Sequence, residues 1–127
     1  MTALARPGVL VGMNKVVPVL PIDDEASARA FYEAKLGFEV DFTRRFEPHF
    51  PVYMGVKHGD LYLHLSEHAK GQAGAEIYVF VDDIAAWHAR LTEHGVDVGD
   101  GLIRQSWGNT DMVVKDPFGS LLRFSQT

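Results

Sequence analysis

The 127-residue chain has no cysteine, which excludes disulfides, thiolate metal sites and cysteine nucleophiles. It has no apolar run approaching the ~20 residues needed to cross a bilayer, so no membrane association is expected. Basic residues are not in excess: 12 Lys and Arg stand against 17 Asp and Glu, a formal charge of −5. A nucleic-acid binder would normally show a basic face, and none is expected here. The sign of the charge suits a cationic ligand. Low-complexity tracts, a GxSxG elbow, a phosphate loop and a dinucleotide fingerprint are all missing. The opening stretch MTALARPGVLVGM carries a short apolar patch broken by Pro7 and Gly8. That is not the pattern of a signal peptide. It reads as a loose extension before the first strand, with the cytoplasm as the default location.

What the chain does have is an internal repeat. VLPIDDEASARAFYEAKL and YVFVDDIAAWHARLTEH are each an apolar strand, an Asp-Asp pair and an amphipathic helix stopped by glycine, Gly37 or Gly95. Asp23 and Asp82 stand 59 positions apart, as do His64 and Arg123. A duplicated module leaves equivalent positions around a pseudo-twofold axis. Each half, at roughly 60 residues, would be marginal alone, so the halves are expected to share a core in one domain. Module one covers about 14–66, a polar linker 67–75, and module two about 76–125.

Period-two and period-3.6 patterns give the elements. Strand one is expected over about 15–22, followed by a helix capped by Asp23 or Asp24 and running to Leu36. Strands near 38–45, 51–57 and 61–66 follow, the last two joined at Gly59-Asp60. Module two repeats this with a strand at 76–81, a helix at 83–93 with Ile84, Trp87, His88 and Leu91 on its buried stripe, and strands near 96–104, 110–115 and 120–125. The class is α+β: two tandem βαβββ modules forming a cupped mixed sheet. Alternation sends Leu61, Leu63, Leu65, Ile77, Val79, Leu122 and Phe124 to the core. It sends Tyr62, His64, Glu76, Tyr78, Phe80 and Arg123 to a cleft.

The segments VPVLPIDDEASARAFYEAKLGF, YVFVDDIAAWHARL and SWGNTDMVVKDPFGSLLRF carry a resemblance over nearly the whole chain. FY followed by LGF, with DPFG before the last strand, is similar to the vicinal oxygen chelate superfamily of glyoxalases, extradiol dioxygenases and bleomycin-resistance proteins. VPVL, GDLYLHLSEH and the tryptophan-glycine loop look most like the bleomycin-resistance branch. The resemblance implies four inward slots that hold a divalent metal in the family's enzymes, and they fall on Val17, His64, Glu76 and Arg123. Valine offers no donor, and arginine is a permanent cation. His64 and Glu76 alone are too few, so no metal or other cofactor is expected. A network in which Glu76 pairs with Arg123 across the axis and His64 adds a hydrogen bond is expected instead.

Trp107 lies in the loop QSWGN, and the resemblance implies that it packs on a flat ligand. Phe42, Tyr53 and Tyr78 are further candidates for the cleft wall, with Phe42 and Tyr53 alternatively at a dimer seam. His64 and His68 are spaced as HxxxH, but on a strand and beyond its end that spacing need not converge. Pro18, by the resemblance, accompanies exchange of the N-terminal strand between two subunits, and a homodimer is expected.

Two functions follow. In the first, the protein is a metal-free binder. It sequesters a drug, such as one of the bleomycin glycopeptide type, or a related natural product in a cleft at the dimer interface. Trp107, His64, Glu76, Arg123, Tyr78, Tyr53 and Phe42 contact that ligand, and no residue is catalytic. In the second it is a superfamily enzyme, a glyoxalase-like lyase or dioxygenase-like oxidoreductase with a remodelled site. There His64 would serve as general base with Glu76 or Arg123 orienting the substrate, or a divalent ion would bind between His64 and Glu76.

Overall fold

A computed structural model describes residues 14–127 in full, together with the backbone of two short strands ahead of them, β1 (Ala3–Arg6) and β2 (Val9–Val11). These two pair antiparallel, where the sequence reads as a loose extension. The interruption at Pro7 and Gly8 lies outside the described residues.

Module one runs β3 (Val19–Pro21), α1 (Glu25–Ala28), β4 (Glu39–Arg44), β5 (Tyr53–His58) and β6 (Leu61–Ser66). Module two runs β7 (Glu76–Phe80), α2 (Ile84–Glu93), β8 (Ile103–Arg104), β9 (Thr110–Lys115) and β10 (Leu121–Gln126). Each module builds one mixed four-stranded sheet, in the orders β3-β6-β5-β4 and β7-β10-β9-β8. The parallel pairs β3/β6 and β7/β10 occupy corresponding places, as the repeat requires.

Of the two candidate caps, Asp24 does the work: its carboxylate accepts from the Ser27 N–H at 2.7 Å. Asp83 caps α2 in the same way through Ala86, and each bond satisfies an orphan donor of the first turn. After Ala28 the first helix continues as a π-helical stretch, Arg29–Lys35, where a plain amphipathic helix is expected. Leu36 N–H reaches back five residues to the Phe31 carbonyl. The wider turn still leaves Ala28, Phe31, Tyr32 and Leu36 buried. Gly37, at φ 85°, then takes the left-handed cap position.

Two strands are shorter than their patterns suggest. β3 begins only at Val19 because Pro18 has no N–H to donate, although its carbonyl accepts from His64 N–H at 2.9 Å. β8 keeps only Ile103–Arg104 because Gly99 and Gly101 turn the chain at positive φ.

The core is a single cluster spanning both modules, from Leu20 and Tyr32 to Leu91 and Phe124. Trp87 packs against it between Phe38, His58 and Phe124. The modules are also joined by polar contacts. Tyr32 donates its hydroxyl hydrogen to Asp116 at 2.5 Å, and burial followed by that neighbouring carboxylate pushes the phenol well above its ordinary range. Asp116 also accepts the Phe118 and Ser120 N–H groups at the DPFG turn. The FY and DPFG segments, which carry the resemblance, are therefore one contact. Arg90 of α2 donates to the Ala34 and Lys35 carbonyls at the end of the first helix.

Candidate functional site

The side of each sheet away from the core carries the expected residues, and they fall into two groups. In module one, Phe42, Tyr53 and His64 come together. Cross-strand register places Gly55 opposite both Phe42 and His64. A Cβ on Gly55 would stand 2.2 Å from Phe42 Cε1, so the missing side chain is what admits the ring. Phe42 then meets His64 edge-on at 5.2 Å. Tyr53 Oη lies 2.8 Å from His64 Nδ1, and the Arg44 guanidinium sits 4.6 Å over the Phe42 ring. Burial, and next the Arg44 charge, hold the His64 imidazole below its ordinary range, with Asp41 opposing.

In module two, Arg123 on β10 pairs with Glu76 on β7 through Nε at 3.1 Å and Nη2 at 2.7 Å, both to Oε2. Arg123 also lies 5.7 Å over the Tyr78 ring, and Tyr78 stacks on Phe80 at 5.5 Å. Glu76, Tyr78, Trp107 and Arg123 line an open depression of ≈ 460 Å³ together with Gln105 and Asp111. Trp107 is 66% exposed at its rim, whereas a large aromatic ring anchoring a core would be covered.

The expected network is thus half present. Glu76 and Arg123 do pair, but on neighbouring strands of one module and not across the axis. His64 takes no part, because its Nδ1 is engaged by Tyr53 in the other module. The depression in module two includes none of the module-one group.

Sequence reasoning missed Asp111, which is 3% exposed. Its Oδ1 accepts from Ser125 Oγ at 2.6 Å, and Ser125 Oγ accepts from Asn109 Nδ2 at 3.0 Å. Its Oδ2 is 3.5 Å from Gln105 Nε2. One signal was available: Asp111 faces Ser125 in the β9/β10 register, and Ser125 is two positions from Arg123, on the same face.

The donor chemistry at the four inward slots does not suit a divalent ion. Val17 supplies no lone pair, and Arg123 brings a fixed positive charge onto the carboxylate of Glu76. Among the described residues, no three His, Asp or Glu side chains converge as a ligand set. None of the described helices is long and apolar enough to cross a membrane.

Fold and site define a class: a duplicated βαβββ domain whose open face carries exposed aromatic rings beside an exposed ion pair. A family model described as glyoxalase superfamily protein matches residues 3–127, and the chain belongs to that superfamily. It is 30% identical over 123 residues to a bleomycin resistance protein of Klebsiella pneumoniae, covering 89% of this chain and 92% of that one. Among solved structures it resembles a bleomycin resistance determinant encoded on the transposon Tn5 (28% identity, 91% of this chain and 98% of that one, TM-score 0.75). It also resembles the bleomycin-binding protein of bleomycin-producing Streptomyces verticillus complexed with copper(II)-bleomycin (27% identity, 92% and 98%, TM-score 0.68).

Proposed function

We propose that the protein is a metal-free drug-binding protein of the bleomycin-resistance type, acting in the cytoplasm as a homodimer and sequestering its ligand without catalysis. The observation that carries this reading is the module-two depression. There an exposed Trp107 stands beside a floor that carries the Glu76–Arg123 ion pair. A flat ligand gains stacking area on Trp107 and Tyr78, and the inner slots offer it hydrogen bonds where metal-dependent relatives hold an ion. The similarity to a bleomycin resistance protein and to a bleomycin-binding protein solved with copper(II)-bleomycin supports a bleomycin-type glycopeptide as that ligand. Phe42, Tyr53 and His64 form the second wall, which in a homodimer would come from the partner subunit.

Calorimetry with bleomycin at micromolar concentration tests the reading. Saturable heat at one ligand per site, with a change in Trp107 emission, is the expected result. The drug assignment fails if neither appears.

One observation favours catalysis as a second reading. His64 is held by Tyr53 with its imidazole biased to the neutral form, the state a general base needs. Turnover that disappears in His64→Ala, or a stoichiometric divalent ion in the purified protein, would establish the enzyme and displace the binder.

A further inference from the structure

Asp111 is buried and part of the depression wall; it feels the charge of Arg123, but its hydrogen bonds leave acceptor positions open. A carboxylate has about four acceptor positions. The Oδ1 atom has a short bond from Ser125, but the Gln105 contact to Oδ2 lies at 3.5 Å, the outer limit of a hydrogen bond. Glu76 is similarly half used. Both bonds from Arg123 go to its Oε2, and the side chain is half exposed. The depression thus holds two carboxyl groups against one guanidinium.

The turn that carries Trp107 is tied to the same carboxyl group at both ends. Gln105 touches Asp111 directly and Asn109 reaches it through Ser125. The turn is closed by Gln105 N–H on Asn109 O at 2.7 Å and Gly108 N–H on Gln105 O at 3.0 Å. A group that bonds Asp111 Oδ2 in place of the Gln105 amide therefore also acts on the position of Trp107.

We infer that Asp111 is the specificity-determining acceptor of a subsite for planar cations. A flat aromatic system stacks on Trp107 and directs an amidinium- or ammonium-type donor to Asp111 Oδ2, displacing the Gln105 amide. This deepens the drug-binding reading and rests on it only for the identity of the natural ligand. A buried acceptor with a weak partner gains most from a charged donor, and the surplus negative charge rejects anions.

The test uses three planar probes of one size: benzamidine, neutral benzamide and benzoate. Each is titrated into the whole protein while the tryptophan indole and glutamine side-chain amide resonances are followed, with Trp107→Phe and Gln105→Ala assigning them. Benzamidine should move both the Trp107 and Gln105 signals and bind at least about tenfold more tightly than benzamide, with benzoate weaker still. Asp111→Asn should remove that preference, about a tenfold loss for benzamidine with little change for benzamide. Benzoate binding as well as benzamidine, a Gln105 signal that stays still, or no benzamidine binding at millimolar concentration would each overturn the inference. The probe preference and the Gln105 shift need no variant, so they hold the test open if Asp111→Asn does not fold. Bleomycin titrated alongside separates the two claims. Bleomycin heat with no benzamidine preference would sink the subsite alone, and the reverse pattern would sink the drug assignment alone.

Discussion

The two modules share a scaffold and differ on its open side. Module one turns a packed cluster outward: Phe42 in the space over Gly55, His64 held by Tyr53, and Arg44 across the ring. Module two presents a looser surface, with an exposed ion pair, stacked Tyr78 and Phe80, and a Trp107 that is 66% exposed. Duplication fixed the core positions, because both halves bury the same strand faces and helix stripes. The inward slots were free to diverge, because none of them supports the core. Module one became a preorganised wall and module two an adaptable one.

The largest effect should come from breaking what holds the two modules in register. Asp116→Ala removes the acceptor of Tyr32 and of two turn N–H groups and should cost about 3–5 kcal/mol in urea unfolding. Tyr32→Phe, which leaves the turn bonds in place, should cost about 1.5–3 kcal/mol. Next comes the packed wall. Gly55→Ala drives a methyl group into Phe42 and should cost about 1–3 kcal/mol. Phe42→Leu in the same chain should recover part of that loss, and additive losses would show that the two do not share space.

On module two, Trp107→Ala should change stability by less than about 0.5 kcal/mol, whereas ligand affinity should fall by roughly 2 kcal/mol, about 30-fold. A large loss of stability instead would make Trp107 an anchor and module two as closed as module one.

Acid should separate the modules more gently. The folded His64 value lies below the ordinary one, so the native state binds fewer protons there than the unfolded chain. That contribution is complete above about pH 6.5, the unfolded value, and is lost as pH falls through the lower folded value. Unfolding followed across this window should be steeper in the wild type than in His64→Gln, and identical slopes would remove His64 from the explanation. Glu76→Gln should likewise have a small effect on stability, at most about 1 kcal/mol, because the Glu76–Arg123 pair is solvent-exposed.

Much of this was legible beforehand. The repeat, the capping aspartates and the alternation in LYLHLS and EIYVF sorted core from open face as the structure has them. What stayed hidden depends on contacts between distant segments. The π-helical stretch is a matter of which carbonyl Leu36 reaches. The grouping of Phe42, Tyr53 and His64 follows from cross-strand register and from the missing side chain of Gly55, neither of which a single strand pattern encodes. Asp111 was passed over because one acidic residue in TDMVVK reads as surface until Ser125 and Gln105 are placed beside it. Glu76 and Arg123 were paired correctly by chemistry but set across the axis, because the repeat gives equivalent positions and not strand adjacency.

The Tyr32–Asp116 bond carries a consequence for how such a chain is made. Its partners lie in different copies of the repeat, and each copy closes the other's core. The core is shared between the halves, so the first half is expected to settle only once residues past Asp116 have left the ribosome. Severing the linker between Ser66 and Glu76 should then give two fragments that are unstructured apart and reassemble when mixed, complementing each other as separate polypeptides.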